Sequence, residues 1–487
     1  MRRHPNLIMF VADEYRGDAL GHLGTPGCVT PVLDELVATD AVSFSRTFCQ
    51  NPVCVPSRAS LLTGWYPHVR GHRTQGFPLQ VDEPNLLHRL TELGYDVWWA
   101  GKNDALSPAA LSESGAIRAS TDHTIGSTPD QPRVDNWHRW WGEPDTTGYY
   151  SHYVGPLDDS CRDDQDQRWV DQAVRQIESR GEGDEPWCIL LTVLTPHCPY
   201  AVTEPWYSLI PREQVAEPIP VPPDLGGKPR AHAELRRRQG LSGWNPGQWR
   251  ELRATYLGMC ARTDALFGQV ISALRRSGSY DDTLCVFTAD HGDFAGDYGL
   301  PEKAQNLFED VLVRVPLVIK PPRGEGAHGV SEAMVELIDV LATVEDLCGI
   351  PRDYVHFGRS LLTCLRDPGA PHRQDVMCEG GRLPGESAAM ELAAPADPTG
   401  LYYPRMMLQR EDSIAHGKGV MLRTAGHKYV YRLLEPDELY DLRVDPDEMR
   451  NVISDPAQRD YLEQLRARLL DRMIETADFV PMRENHR

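Results

Sequence analysis

Short apolar runs followed by polar residues recur along the chain as far as residue 319. Each run has the length and composition of a buried strand. Segments with apolar residues at helical spacing lie between them, among them residues 84–93 and 248–276. This alternation predicts an α/β fold in which helices sandwich a large, mostly parallel sheet. The apolar runs are residues 7–12, 95–100, 187–194, 284–289 and 313–319.

The composition changes around residues 378–404, which are rich in Gly, Pro, Ala and Glu. We therefore predict a main domain at 1–378 and a smaller α+β C-terminal subdomain at 379–487. A small antiparallel sheet and a helix are expected in the subdomain. Its predicted elements are strands at 419–423, 428–433 and 438–442 and a helix at 456–477.

Two stretches, 112–155 and 201–247, carry many Pro, Gly and Trp residues and show no clear periodicity. Long irregular insertions of this kind commonly form lids or walls around a binding site. We expect that role for both stretches.

The composition narrows the class of protein. A hydrophobic fraction of 41% and a charged fraction of 25% are typical of a water-soluble globular chain. The formal net charge of −21 argues against a nucleic-acid partner. No apolar run is long enough for a membrane span, and the run at 7–12 is too short for a signal peptide. The 11 cysteines form no regular framework, which favours reduced thiols and a cytoplasmic location.

Ionisable residues follow four of the predicted strands. Because ligands of open α/β sheets bind at the carboxyl ends of the strands, we expect these side chains to converge on one site. The residues are Asp13, Glu14, Lys102, His197, Asp290 and His291.

Cys54 is the strongest candidate for a nucleophile. Pro56 suits the first turn of a helix, which places Cys54 at a helix N-terminus, and Arg58 lies one turn further on. From these residues alone, either a phosphatase-type thiolate or an inert buried thiol fits. However, residues 54–64 match C-x-P-S-R-x-x-x-L-T-G at every fixed position. The chain therefore resembles the formylglycine-dependent sulfatases of the alkaline phosphatase superfamily.

The resemblance implies that a formylglycine-generating enzyme oxidises Cys54 to formylglycine, an aldehyde that hydrates to a geminal diol. One hydroxyl attacks sulfur to give a covalent sulfo-enzyme. The other lets this ester collapse back to the aldehyde and release the anion. Arg58 is a catalytic residue of the same motif.

The resemblance also implies that Asp13, Glu14, Asp290, His291 and the converted Cys54 hold one divalent cation. Read singly, the first two residues also suit a helix cap, and Asp-His-Gly suits a turn. The family usually has Asp-Asp and Asp-Asn at these pairs, and the Asp-His form is similar to choline sulfatases and phosphonate monoester hydrolases. Three carboxylates favour Ca²⁺, our first expectation, and the imidazole leaves Mn²⁺ open.

The remaining catalytic residues implied by the resemblance are two lysines and a histidine. Lys102 and Lys303 match the sulfate-binding lysines, and His197 matches the residue that protonates the leaving alcohol. Asp104 stands where the family has histidine, and we expect it to pair with a cation or read a substrate hydroxyl or amine.

Three further residues are candidate substrate contacts, in addition to Asp104. His72 and Arg73 lie downstream of the nucleophile motif, and His416 lies in a loop at 411–418 that is expected to close over the site. A structural role for all of them stays open.

The expected function is hydrolysis of small sulfate monoesters. A phosphonate monoester or phosphodiester hydrolase with the same site is the alternative, because both substrate classes present one negative charge. A non-catalytic protein that binds sulfated ligands is the remote alternative, and it requires Cys54 to remain a thiol. Family analogy adds a possible homo-oligomer.

Overall fold

The computed structural model describes residues 4–113, 117–122, 148–157, 164–181, 185–323, 326–386 and 398–479. Most of the predicted insertion at 112–155 therefore lies outside the described residues.

Strands and helices alternate along the chain, as the apolar pattern predicts. The strands are β1 (Asn6–Asp13), β2 (Val42–Phe48), β3 (Asp96–Lys102), β4 (Ile117–Asp122), β5 (Tyr153–Leu157), β6 (Trp187–Pro196), β7 (Tyr200–Thr203), β8 (Thr283–Ala289), β9 (Arg314–Val315), β10 (Leu317–Lys320), β11 (Gly329–Glu336), β12 (Asp375–Gly380), β13 (Gly419–Thr424), β14 (His427–Arg432) and β15 (Glu438–Asp441). The helices are α1 (Pro31–Thr39), α2 (Cys54–Thr63), α3 (Pro67–Arg70), α4 (Leu86–Glu92), α5 (Pro108–Glu113), α6 (Gln165–Glu178), α7 (Trp206–Leu209), α8 (Arg230–Gln239), α9 (Pro246–Ser277), α10 (Asp310–Val313), α11 (Ile338–Cys348), α12 (Leu362–Arg366), α13 (Tyr403–Glu411) and α14 (Arg459–Ala477).

The main sheet is mixed but mostly parallel. Its order is β11-β2-β10-β8-β1-β6-β3-β4, with β9 paired to β2. β1 pairs in parallel with both β6 and β8, and β3 pairs in parallel with β6 and β4. The central strands are buried on both faces, because helices cover the sheet on either side. The predicted fold class is confirmed.

The longest helix, α9, packs against α6 and β6. Asn245 accepts a hydrogen bond from the backbone N–H of Gln248, whose side chain caps Asn245 in return. Gly278, at φ 73°, ends the helix in the left-handed conformation that glycine adopts without strain. The helix predicted at 248–276 is therefore present, with two extra residues at the N-terminus and one at the C-terminus.

The C-terminal part forms a second, antiparallel sheet in the order β12-β13-β14-β15. Leu462, Leu465 and Leu469 of α14 join the apolar cluster beneath it. β12 starts at Asp375, so the predicted division at 378/379 falls inside a strand of this sheet. The division into two domains stays a prediction.

The segment 201–247 is more regular than its composition suggests. It contains β7, which pairs in parallel with β5, and the ten-residue helix α8. Across the described part of the chain, no helix combines the length and apolarity needed to cross a bilayer.

Candidate active site

Several sequence-predicted residues meet at the carboxyl edge of the main sheet. Asp13 ends β1, Lys102 ends β3, and Asp290 directly follows β8. These parallel strands end at the same edge, and α2 begins there with Cys54. The expected convergence of the strand ends is therefore found in the structure.

A buried group of side chains surrounds the Cys54 thiol. One ligand atom each from Asp13, Asp290 and His291, together with Sγ, lie within 4.8 Å of one another. Sγ is 3.2 Å from Nε2 of His291 and 3.6 Å from Oδ1 of Asp13. Two carboxylates and an imidazole around the side chain of Cys54 form a donor set that fits a divalent cation.

His291 is oriented as a metal-binding histidine would be. Its Nδ1 lies 3.0 Å from the carbonyl oxygen of Gly292, so we assign the proton to Nδ1. Nε2 then directs its lone pair towards Cys54 and Asp13. Burial lowers the pKa of His291 to about 4 and so keeps the imidazole neutral.

Arg58 binds both carboxylates of this group. Its Nε donates to Oδ2 of Asp290 at 2.8 Å, and its Nη2 donates to Oδ2 of Asp13 at 2.9 Å. Nη1 donates to the backbone carbonyl of Lys102 at 2.9 Å. Burial raises the pKa of Asp13, but Lys102 and other nearby cations outweigh burial and hold that pKa well below its usual range.

Lys102 lies beside Cys54. Its Nζ is 3.7 Å from Sγ of Cys54, 2.7 Å from Oδ2 of Asp13 and 2.9 Å from Oδ2 of Asp104. Gly101 makes this approach possible, because a Cβ there would lie 1.9 Å from the carbonyl oxygen of Thr192. The backbone at Gly101 also has φ 116°, which L side chains rarely adopt.

Lys303 lies next to His197 on the other side of the site. Its Nζ is 2.9 Å from Nε2 of His197 and 2.9 Å from Oε2 of Glu14. Nδ1 of His197 is 2.6 Å from the carbonyl oxygen of Cys198, so Nε2 is the atom that accepts from Lys303. Burial, followed by the charge of Lys303, lowers the pKa of His197.

The Glu14 carboxylate lies outside the Asp13, Asp290 and His291 group. Its backbone N–H donates to Oδ1 of Asp290 at 3.1 Å, but the left-handed backbone at φ 68° directs the side chain towards Lys303. Glu14 belongs instead to a neighbouring group with His197, Cys198 and Glu302. Burial raises the pKa of Glu14. Sequence adjacency to Asp13 could not predict this turn of the chain.

Two of the predicted substrate contacts are engaged by loop residues. The ring nitrogens of His72 contact the carbonyl oxygen of Phe77 at 2.8 Å and Oε1 of Glu83 at 3.1 Å. Arg73 forms an ion pair with Glu386. Their role in binding substrate stays a prediction.

The other two predicted contacts are buried. Asp104 pairs with Lys102, and its Oδ1 has no hydrogen-bond partner among the described residues. His416 is 1% exposed, and neither of its ring nitrogens is hydrogen-bonded within that part of the chain. Burial lowers the pKa of His416 to about 3. Their role in substrate binding also stays a prediction.

Sequence reasoning missed three contributors to the site. Ser57 Oγ donates to the Asp290 carbonyl at 2.6 Å, and Tyr200 OH donates to Oδ1 of Asp293 at 2.7 Å. Arg405 on α13 pairs with Glu302, the neighbour of Lys303. Ser57 lies within the Cys54 motif and could have been considered, whereas no local pattern indicates Arg405.

The sequence profile described as Sulfatase matches residues 5–350. This stretch contains every residue of the two buried groups described above. The chain belongs to the sulfatase family. The prediction that the chain is a sulfuric ester hydrolase is therefore confirmed at the level of the family.

Other members of the superfamily align over most of the chain. The "Multifunctional alkaline phosphatase superfamily protein PehA" of Trinickia caryophylli is 26% identical, with 94% of each chain covered. A choline-sulfatase of Rhizobium meliloti (strain 1021) is 27% identical, and the alignment covers 93% of this chain and 83% of the choline-sulfatase. The solved phosphonate monoester hydrolase SpPMH from Silicibacter pomeroyi is 27% identical, with a TM-score of 0.76 and coverage of 97% and 96%. This sulfatase-family chain is thus similar both to sulfatases and to a phosphonate monoester hydrolase.

Proposed function

We propose that this chain hydrolyses sulfate monoesters by means of a formylglycine derived from Cys54. One observation carries the proposal: Cys54 begins α2 within a complete sulfatase signature, with Sγ 3.2 Å from His291 Nε2 and 3.7 Å from Lys102 Nζ. The position that the family converts therefore lies between a metal-type donor set and a cation. Both are needed where negative charge develops during attack on sulfur.

Maturation requires a formylglycine-generating enzyme as a partner, which oxidises the thiol to an aldehyde. The hydrated aldehyde would supply one hydroxyl for attack on sulfur and a second for release of the sulfate by covalent catalysis. Arg58 keeps the two carboxylates beside Cys54 in place through its hydrogen bonds to Asp13 and Asp290.

One divalent cation fits the donor set of Asp13, Asp290, His291 and the oxygen at position 54. Glu14 is retained as a proposed ligand because its Oε1 has no hydrogen-bond partner in the described chain. The cation would lower the pKa of the diol and neutralise charge on the transferred group. We propose Ca²⁺ first, for the carboxylate oxygens, and Mn²⁺ second, for the imidazole.

Three further residues, Lys102, Lys303 and His197, have roles in the proposed reaction. We assign Lys102 and Lys303 to the oxygens of the transferred sulfate, because Nζ of Lys102 lies 3.7 Å from Sγ of Cys54 and Nζ of Lys303 lies 2.9 Å from Nε2 of His197. His197 donates a proton at Nε2 to the leaving oxygen as the S–O bond breaks. Because Nε2 accepts from Lys303 in the structure, His197 first takes up that proton from solvent.

Hydrolysis of phosphonate monoesters or phosphodiesters is the second candidate. The similarity to SpPMH and to a relative named multifunctional favours it. A sulfate monoester and a phosphonate monoester each carry one negative charge, so the same cations serve both. A non-catalytic protein that binds sulfated ligands remains the third, and it would leave Cys54 as a thiol.

Two substrates with a shared leaving group separate these candidates. Protein produced with a formylglycine-generating enzyme is assayed with para-nitrophenyl sulfate and para-nitrophenyl phenylphosphonate, with Cys54→Ala as the matched control. The proposal predicts a higher kcat/KM for the sulfate. The reverse order selects the second candidate, and no turnover of either by converted protein overturns both.

We also propose the class of substrate and the location of the protein. The substrate is a small sulfated molecule, because the net charge of −21 disfavours attraction of a heavily sulfated polymer. We retain the cytoplasm as the location, since ten cysteines of the described chain are free thiols, the state that a reducing compartment maintains. A homo-oligomer stays a prediction.

A further inference from the structure

The ammonium of Lys303 has three close partners. Nζ is 2.9 Å from Glu14 Oε2, 2.9 Å from His197 Nε2 and 2.9 Å from Glu302 Oε1. An ammonium has three N–H donors; hydrogen bonds to Glu14 and His197 engage two of them, and Glu302 adds an ion pair. Glu14 and His197 have proposed roles in the reaction, whereas Glu302 has none.

Glu302 is held in a conformation that glutamate rarely adopts. Its backbone is left-handed at φ 61°, and its side chain is fully buried. A left-handed backbone strains any residue that has a Cβ, and glycine would adopt the same backbone freely. The contacts of the carboxylate must therefore offset this strain.

Arg405 supplies the main contact of that carboxylate. Its Nη1 donates to Oε1 of Glu302 at 3.1 Å, and its Nη2 donates to Oε2. This two-point pairing fixes the plane of the carboxylate as well as its position. Arg405 is 5% exposed and lies on α13, beyond the stretch at 5–350 that matches the family profile.

The backbone of Glu302 is fixed as well. Its N–H donates to the hydroxyl of Tyr200 at 2.6 Å, and that hydroxyl donates to Oδ1 of Asp293 at 2.7 Å. Both ends of Glu302 are thus anchored by buried groups. The residue is a rigid support for its neighbour Lys303.

We propose that Glu302 and Arg405 are positioning residues for the leaving-group side of the site. Arg405 orients the Glu302 carboxylate, which holds the Lys303 ammonium beside the His197 ring. The ammonium thereby limits the positions of the ring, both while Nε2 accepts from Lys303, as in the structure, and after Nε2 has taken up a proton and that hydrogen bond is broken. The carbonyl of Cys198 fixes the opposite nitrogen of the same ring, 2.6 Å from Nδ1. The aim of His197 at the leaving oxygen therefore depends on a side chain from α13.

The inference rests on the proposed function for the reaction that it serves. As the S–O bond breaks, the leaving oxygen keeps the bonding electrons and takes the proton from Nε2 of His197. A poorly aimed ring affects poor leaving groups most, because they need that proton to depart. A purely structural role for Arg405 would affect all substrates equally.

Arg405→Gln tests the inference without touching Lys303 or His197. We expect kcat/KM for phenyl sulfate, a poor leaving-group substrate, to fall about 10²-fold, mainly through kcat. For para-nitrophenyl sulfate, a good leaving-group substrate, the fall should be about threefold or less. Arg405→Lys should recover part of the loss, since lysine restores the positive charge but not the paired hydrogen bonds of the guanidinium.

Arg423→Gln is the matched control. Arg423 is also a buried arginine of the C-terminal part, and it binds both carboxylate oxygens of Asp310 at 2.9–3.1 Å. We expect it to lower the melting temperature while leaving the ratio of the two rates unchanged. Equal losses on both sulfates in Arg405→Gln would overturn the inference.

A crystal structure of Arg405→Gln tests the position of Lys303 directly, without an activity measurement. We expect Lys303 Nζ to leave Nε2 of His197, and an unchanged contact near 2.9 Å would overturn the inference. If Arg405→Gln does not fold, the same distance is measured in Arg405→Lys. Wild-type protein that turns over no sulfate would contradict the proposed function. The distance from Lys303 Nζ to His197 Nε2 would still show whether Arg405 positions Lys303.

Discussion

Arg58 donates from Nε to Oδ2 of Asp290 across 2.8 Å, and the same guanidinium reaches Asp13 through Nη2. All three side chains are buried. A planar fork can satisfy two carboxylates at once, which a lysine ammonium cannot do with the same geometry. Arg58 therefore sets the spacing of the acidic groups around Cys54.

Replacing Arg58 by lysine should lower kcat/KM for para-nitrophenyl sulfate by about 10²-fold or more, since the charge remains but the spacing is lost. The variant should also retain less divalent metal after dialysis, because Asp13 and Asp290 are no longer held together. Steady-state kinetics and elemental analysis measure the two effects. Wild-type turnover in Arg58→Lys would contradict this role.

Removal of the metal should abolish turnover and leave the folded protein intact. Four residues offer ligand atoms within 4.8 Å of one another, and a cation held there would activate the nucleophile. We expect chelated protein to regain activity with Ca²⁺, and His291→Asn, which replaces the imidazole with an amide oxygen, to favour Ca²⁺ over Mn²⁺ more strongly. Full activity in protein shown to be metal-free would be incompatible with the proposed site.

Gly101→Ala should destabilise the protein and displace Lys102. The new Cβ would lie 1.9 Å from the carbonyl oxygen of Thr192, at a backbone φ of 116°. We expect a loss of about 2–5 kcal/mol in the free energy of unfolding and a clear fall in kcat. Urea denaturation and kinetics check both, and Gly94→Ala, with open space around the new Cβ, controls for positive φ.

The protein should lose stability in acid because Glu309 becomes protonated there. Burial raises the pKa of its carboxyl, but Lys228, whose Nζ lies 3.0 Å from Oε1, lowers it from 4.5 to about 2. A depressed pKa stabilises the fold above pH 4.5, and this contribution is lost as the pH falls from 4.5 towards 2. The full effect amounts to about 3 kcal/mol.

Urea denaturation of Glu309→Gln and the wild type at pH values above and below 4.5 tests this dependence. The variant should be less stable than the wild type at neutral pH, and the difference should shrink in acid. A difference that stays constant with pH would argue against an ionised Glu309.

The residues near Cys54 were predictable because a long motif and the ends of apolar strands mark them locally. Asp13, Lys102, Asp290 and His291 follow strands that the apolar pattern indicates, and parallel pairing brings those ends together. The α/β class follows from the same pattern.

Other parts of the site depend on tertiary geometry that no local pattern records. The left-handed backbone of Glu14 turns its carboxylate towards Lys303, although the sequence places it beside Asp13. Arg405 reaches Glu302 from a helix 103 positions along the chain. The first strand of the small sheet begins at Asp375, before the change in composition that marked the predicted division.

The state of Cys54 tests the central claim most directly. Trypsin cleaves after Arg46 and Arg58, which releases residues 47–58 as one peptide. Mass spectrometry of this peptide, from protein made with a formylglycine-generating enzyme, should show the aldehyde or its hydrate at position 54. Finding only unmodified cysteine there would contradict the account.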